Sequence, residues 1–210
     1  MNKYHLTAEQ ITKKFGRRLI FSNLNFQFQK NGIYGITGIN GSGKSTLIKI
    51  IAGIISPSSG KVIHQFNNKL IDSENLHNNI GFVAPYLIMY EEFSAWENLE
   101  HISKIRGIKF NTELFNSLMD DFLLLERKDD LVKTYSSGMK QRLKFLFALM
   151  HSPKILLLDE PTSNLDDAGK ESVYNIIKRE GHDKIVIIAS NEKSDLDLCD
   201  IKLKLQDFKL

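Results

Sequence analysis

The chain has one cysteine, Cys199, in 210 residues, so no disulfide can form within it. Cysteine this scarce argues against a secreted disulfide scaffold and makes the cytosol the default compartment, with Cys199 expected as a small buried hydrophobe. Long apolar runs are also missing. The strongest are 155–158 (Ile-Leu-Leu-Leu) and 185–189 (Ile-Val-Ile-Ile-Ala). Both fall far short of the ~20 residues that cross a bilayer, which excludes a membrane channel built from this chain alone. Residues 1–10 hold no apolar stretch of the secretory kind, so no secretory signal is expected. No block of five or six like charges occurs, and a net charge of +3 is too mild to argue for nucleic acid, which is not expected as a partner. Repeats and low-complexity linkers are absent. Hydrophobic residues at 42% and charged residues at 25% are those of an ordinary globular chain, long enough to bury a core without staples.

What is present is concentrated. Seven of the 13 glycines fall in 32–60, at Gly32, Gly35, Gly38, Gly41, Gly43, Gly53 and Gly60. Backbone freedom gathered there suggests that the backbone itself does chemistry. Leu24, Phe26 and Phe28 alternate with polar residues, which predicts a half-buried strand, and Asn31-Gly32 reads as a turn. Residues 33–37 read as a short buried strand and 44–52 as a helix stopped by Gly53. The Ser56–Gly60 turn precedes another strand at 61–66. From about Ala95 to Met150 the periodicity is mostly helical, with apolar residues such as Leu114, Phe115, Leu118, Met119 and Phe122 at helix spacing within 111–125. The chain then alternates again, with a strand at 154–158, a helix near 167–180 and a strand at 184–189. That order predicts a parallel sheet, hence an α/β core interrupted by a helical insert.

Gly38-Ile39-Asn40-Gly41-Ser42-Gly43-Lys44-Ser45 fits G-x-x-x-x-G-K-[ST] between a predicted strand and a predicted helix, the context the phosphate loop requires. Glycines let the main chain wrap an anion, and its N–H groups converge with the positive end of the following helix. Lys44 is expected at the β- and γ-phosphates, the Ser45 hydroxyl on Mg²⁺, and Thr46 on the α-phosphate side. The alternative is a glycine turn that merely caps a helix. Further on, four apolar residues lead into Asp159-Glu160-Pro161. At the carboxyl end of a parallel strand, Asp159 can hold the metal and Glu160 can orient or deprotonate the attacking water. The alternative is a solvated strand end.

Between these sites, Tyr135-Ser136-Ser137-Gly138-Met139-Lys140-Gln141-Arg142 resembles the Leu-Ser-Gly-Gly-Gln signature of ABC ATPases, with Tyr135, Ser137 and Met139 as departures. Ser163-Asn164-Leu165-Asp166 resembles the D-loop of that family. Phosphate loop, helical insert, signature, acidic strand and D-loop come in the family's order, so essentially the whole chain resembles the ATP-binding subunit of an ABC transporter. Compact haem-exporter ATPases are similar. The resemblance implies a P-loop NTPase fold: a mainly parallel sheet, an antiparallel N-terminal part and an inserted helical subdomain. A single ABC ATPase domain would span 1–210, with core segments 1–84 and 152–210 and a helical subdomain at 85–151. It further implies ATP-driven head-to-tail dimerisation with a like or unlike subunit and a separate integral-membrane permease, at the inner face of the cell membrane. Ser136, Ser137 and Gly138 would reach the γ-phosphate of the other subunit. Their alternative role is an ordinary serine N-cap. Phe15 falls where the family stacks an aromatic on adenine, against the alternative of a core phenylalanine.

Two positions depart from the family. Pro85 stands where a metal-binding glutamine is usual, with no glutamine near it in sequence, and Asn191 stands where a histidine contacts the γ-phosphate. Asn191 can donate through its amide but carries no charge. These departures predict a slow ATPase, with a poorly hydrolysing ATP-binding switch as one alternative and a soluble ABC ATPase of an assembly pathway as the other. Tyr86, Leu87, Met89, Tyr90, Phe93 and Trp96 crowd the next stretch, where the family forms a groove for a permease helix. Packing within the insert is the competing explanation.

Overall fold

A computed structural model describes residues 3–208. The elements in chain order are β1 (Tyr4–Phe15), β2 (Arg18–Phe28), β3 (Gly32–Thr37), α1 (Lys44–Ile51), β4 (Ser59–Phe66), β5 (Lys69–Leu70), α2 (Ser73–Leu76), β6 (Ile80–Val83), α3 (Ala95–Arg106), α4 (Thr112–Asp121), α5 (Ser137–Leu149), β7 (Ile155–Asp159), α6 (Asp167–Asp183), β8 (Ile185–Ala189), α7 (Lys193–Leu196) and β9 (Ile201–Lys204). Short 3₁₀ turns cover 125–127, 132–134 and 205–208.

Two sheets form. One is antiparallel with strand order β2-β1-β4-β5; the other is parallel with order β6-β7-β8-β3-β9. The apolar strands β7 and β8 lie between other strands of the parallel sheet and are buried throughout, as continuous Leu/Ile/Val runs require. Alternate residues serve two faces. Ile155, Leu157, Ile185 and Ile187 pack with α1 and the antiparallel sheet; Leu156, Leu158, Val186 and Ile188 pack with residues of the helices from α3 to α6. The helical insert therefore shares one apolar cluster with the sheet.

Several elements differ from the sequence reading. The alternation of Tyr4, Leu6 and Ala8 breaks at Gln10, which has φ +50, and the register to β2 shifts before Ile11. That bulge hides β1, the longest strand, from a period-two search. β4 starts at Ser59, inside the segment read as a turn, because Gly60 at φ +82 brings its Cα close to the carbonyls of Glu9 and Gln10. The segment 111–125 stops being α-helical at Asp121, and Leu123 turns the chain at φ +56. Cys199 is half-buried rather than buried, its thiol directed to the Asp195 carbonyl and its pKa pushed up to about 12 by burial. β9 is an edge strand of the parallel sheet, and the turn after it is anchored by Leu205, which is fully buried against the core.

Candidate active site

Strand register brings the site together. Ile36 of β3 and Asp159 of β7 both pair with Ala189 of β8, so three adjacent parallel strands end side by side. Three groups of residues converge at those ends: the glycine loop after β3, Asp159 and Glu160 at the end of β7, and Ser190 and Asn191 after β8. This is where open parallel sheets place ligands.

The loop 38–43 turns through Ser42 N–H to the Ile39 carbonyl (3.0 Å) and leads straight into α1. Gly43 caps that helix at φ +106, and a Cβ there would lie 2.4 Å from Ile20 Cγ2, so no larger residue fits. The first N–H groups of α1, which helix geometry leaves unpaired, open on this loop. Lys44 is buried, and its Nζ donates to the Gly38 carbonyl (2.9 Å) and to Asn191 Oδ1 (2.8 Å). The Ser45 hydroxyl donates to Asp159 Oδ1 at 2.9 Å, across 114 positions of sequence. Ser42 Oγ is buried with no hydrogen-bond partner among the described residues.

Glu160 has φ +47, a conformation strained for a side chain of its size, held by its N–H donating to the Ala189 carbonyl at 2.8 Å. Ser190 Oγ donates to Glu160 Oε2 at 3.1 Å. Burial raises the pKa of both Asp159 and Glu160, opposed by hydrogen bonds from Ser45 and Ser190 respectively and by Lys44. Burial lowers Lys44, and the two carboxylates oppose that shift. A cleft of about 340 Å³ is lined by Phe15, Arg18, Asn40, Gly41, Ser42, Gly43, Lys44, Ser45, Thr46 and Glu160, with Ile20. Phe15 is 52% exposed, which excludes a core role, and Lys13 Nζ stands 4.8 Å from its ring centroid. Arg18 and Ser190 were not singled out from sequence. Both depend on contacts made after folding, and neither belongs to a motif of residue spacing.

Asn191 follows β8 beside Lys44, and both ends of its amide are engaged: Oδ1 accepts from Lys44, while Nδ2 donates to Asn40 Oδ1. Pro85 is exposed at the end of β6, and its carbonyl accepts from Lys144 Nζ at 2.7 Å. A glutamine does lie nearby in space: Gln141, from α5, donates through Nε2 to the Pro161 carbonyl (3.0 Å) and the Glu160 carbonyl (3.4 Å). No pattern local to Pro85 could reveal it.

Ser136 and Ser137 are exposed at the start of α5, where Ser136 Oγ caps the helix by accepting from the Met139 N–H (3.1 Å). Gly138 lies against the Asn164 carbonyl, 3.0 Å from where a Cβ would sit. Asp166 caps α6 by accepting from the Gly169 N–H at 2.9 Å. None of Ser136, Ser137, Gly138 and Asp166 lines the cleft around Lys44. A second groove, about 290 Å³, lies beside the insert, lined by Phe82, Leu87, Ile88, Met89, Tyr90, Ile102, Phe147 and the bases Arg106, Lys144 and His151, with no acid. Tyr86, Ile88, Tyr90 and Phe93 are exposed, whereas Trp96 packs edge-on against Phe110. The aromatic stretch thus divides between surface and insert core. Among the described residues no helix is long and apolar enough to cross a membrane.

Comparison with known proteins agrees with this geometry. A family profile described as ABC transporter matches residues 21–163. The ABC transporter ATP-binding protein YybJ of Bacillus subtilis is 33% identical over 95% of this chain and 92% of its own length. The putative hemin import ATP-binding protein HrtA of Staphylococcus haemolyticus is 34% identical over 98% of both. The solved structure of a putative ABC transporter ATP-binding protein from Pyrococcus furiosus superposes with a TM-score of 0.83 at 23% identity, covering 98% of this chain and all of that one, and so shares the fold. With its loop, acidic strand end and matched sequence, the chain belongs to the ABC transporter family of ATP-binding proteins.

Proposed function

We propose that the cleft binds MgATP and that the chain hydrolyses it as one half of a head-to-tail pair, powering a separate membrane permease. The observation that carries this reading is the Ser45–Asp159 hydrogen bond at 2.9 Å, placed beside Lys44 and Glu160. It sets a hydroxyl and a carboxylate together where the phosphate loop meets the acidic strand. Two oxygen donors of this kind suit Mg²⁺, which keeps waters and substrate oxygens for its other positions. Bound there, the ion would neutralise charge on the phosphates. Lys44 and the N–H groups of Gly41, Gly43, Lys44 and Ser45 would hold the phosphates, with Thr46 behind them and Phe15 against the base. Glu160, aligned by Ser190, would orient the attacking water and take its proton; its raised pKa makes it a better base than a free carboxylate. Asn191 would release its amide from Asn40 to meet the γ-phosphate.

Ser136 and Ser137 are exposed and Gly138 is half-buried at a helix N-terminus, and all three lie away from the chain's own cleft, which supports their donating to ATP held by a partner subunit. Asp166 would face the same interface. Helices in 85–151 would then move against 1–84 and 152–210 as the pair closes. The apolar groove, with Arg106 and Lys144 and no acid, suits an amphipathic permease helix that brings a carboxylate. Such docking would hold the chain at the inner face of the cell membrane.

A slower, switch-like cycle is favoured by one observation: Asn191 is neutral and spends both amide ends on Asn40 and Lys44. Measuring phosphate release by the wild-type chain and by Glu160→Gln tests the ATPase reading. Equal release by both would end it.

A further inference from the structure

Lys144 is out of place by composition. It lies in a stretch of α5 where Leu143, Phe145, Leu146 and Ala148 are all buried, and it is itself only 7% exposed. A buried ammonium is costly unless its donors are satisfied. Burial lowers its pKa, with no neighbouring carboxylate to offset the effect. Its donors go instead to two neutral oxygens, the Pro85 carbonyl at 2.7 Å and Gln141 Oε1 at 3.3 Å. Gln141, 2% exposed, passes the connection on through Nε2 to the carbonyls of Pro161 and Glu160. An apolar side chain at 144 would fill the same space at less cost.

We propose that Pro85, Lys144 and Gln141 form a hydrogen-bond relay that ties the loop after β6 to the backbone of Glu160, so that Lys144 and Gln141 are positioning residues for the Glu160 carboxylate. One end of the relay lines the permease groove, since Lys144 borders it beside Leu87 and Met89. The other end grips the carbonyls on either side of the Glu160–Pro161 bond, within a segment already strained at φ +47. A shift of the loop 85–89 is therefore transmitted to the segment that aims Glu160. Proline at 85 has no side-chain donor or acceptor, so its carbonyl and a lysine from α5 make the connection. The kinetic consequence rests on the ATPase reading; the physical connection does not.

Two measurements on the purified chain decide it. Lys144→Met keeps the stem and removes the donors; Lys144→Arg keeps donors; Gln141→Leu removes the middle link. Hydrogen exchange in Lys144→Met is expected to speed up about tenfold at the amides of Glu160, Thr162 and Ser163, which Lys144 does not touch, and to return toward wild type in Lys144→Arg. Exchange that changes only at 84–88, or nowhere, overturns the relay. In the kinetic arm, kcat for phosphate release falls about tenfold in Lys144→Met and Gln141→Leu with KM for ATP within twofold, and the double variant is no worse than the poorer single. Equal rises in KM, or additive losses, overturn the positioning role. Should the wild type show no Glu160-dependent release, the ATPase reading fails while the exchange result still decides the relay.

Discussion

At the scale of single residues, the site is made of groups whose charge depends on where the fold puts them. Burial raises the pKa of Glu160, so its base form fills only at a pH above the ordinary glutamate range. The acid limb of the pH–rate profile is expected above pH 4.5 on that account, and it should vanish in Glu160→Gln along with about 10²-fold or more of the rate. A limb at the ordinary glutamate position would show that the carboxylate is solvated during turnover. Asn191 makes the opposite kind of prediction. Replacing it by histidine restores a group able to carry positive charge, and release should rise several-fold without a change in ATP affinity. Radioligand or fluorescent-nucleotide binding beside a phosphate assay separates the two.

At the scale of elements, the same residue often serves a helix and the chemistry at once. Asp166 caps α6 and is proposed to face a partner's site. Asp166→Ala should cost about 1 kcal/mol of stability through the lost cap. Asp166→Ser keeps a capping oxygen, so stability returns; activity that stays low in the serine variant marks the role at the interface. Gly81 shows how closely β6 and α5 meet: a Cβ there would lie 2.5 Å from the Ala148 carbonyl and 2.8 Å from Leu156 Cδ1. Gly81→Ala therefore overpacks the joint between insert and sheet, and a loss of about 1–3 kcal/mol is expected in urea unfolding.

At the scale of the whole molecule, two histidines held neutral by the fold, buried His64 and half-buried His151, are expected to weaken stability in acid. His64, hydrogen-bonded to the Tyr4 hydroxyl at 2.7 Å, and His151, bonded to the Ile80 carbonyl at 3.0 Å, are both pushed down by burial to about 4. Because the folded pKa lies below the unfolded value of 6.5, their contribution is complete above pH 6.5 and is lost as pH falls toward 4. Melting temperature should drop across that window, less steeply in a His64→Gln variant. The molecule's exposed signature serines lead to a further expectation: with ATP and Mg²⁺, Glu160→Gln should double in mass by light scattering. A monomer at saturating ATP would argue against the head-to-tail pair.

The motifs were legible because their chemistry is local. A phosphate loop is a run of consecutive backbone groups, and the acidic strand end is an apolar run closed by two acids. Periodicity likewise showed β3, α1, β7 and β8, since burial on two faces leaves a continuous apolar signature. It missed β1, where the bulge at Gln10 interrupts the alternation, and it gave no sign that Leu205 is buried, because one leucine carries no period. The sequence by itself determined the family and the order of the motifs that carry Lys44, Ser45, Asp159 and Glu160. Only the tertiary structure decided that Ser190 aligns Glu160, that Asn191 holds both Lys44 and Asn40, and that a lysine and a glutamine from α5 stand behind Pro85. The contacts of Ser190, Asn191 and Lys144 with Glu160, Lys44, Asn40 and Pro85 join residues 30 to 151 positions apart, and strand register and helix packing set such distances, not spacing along the chain.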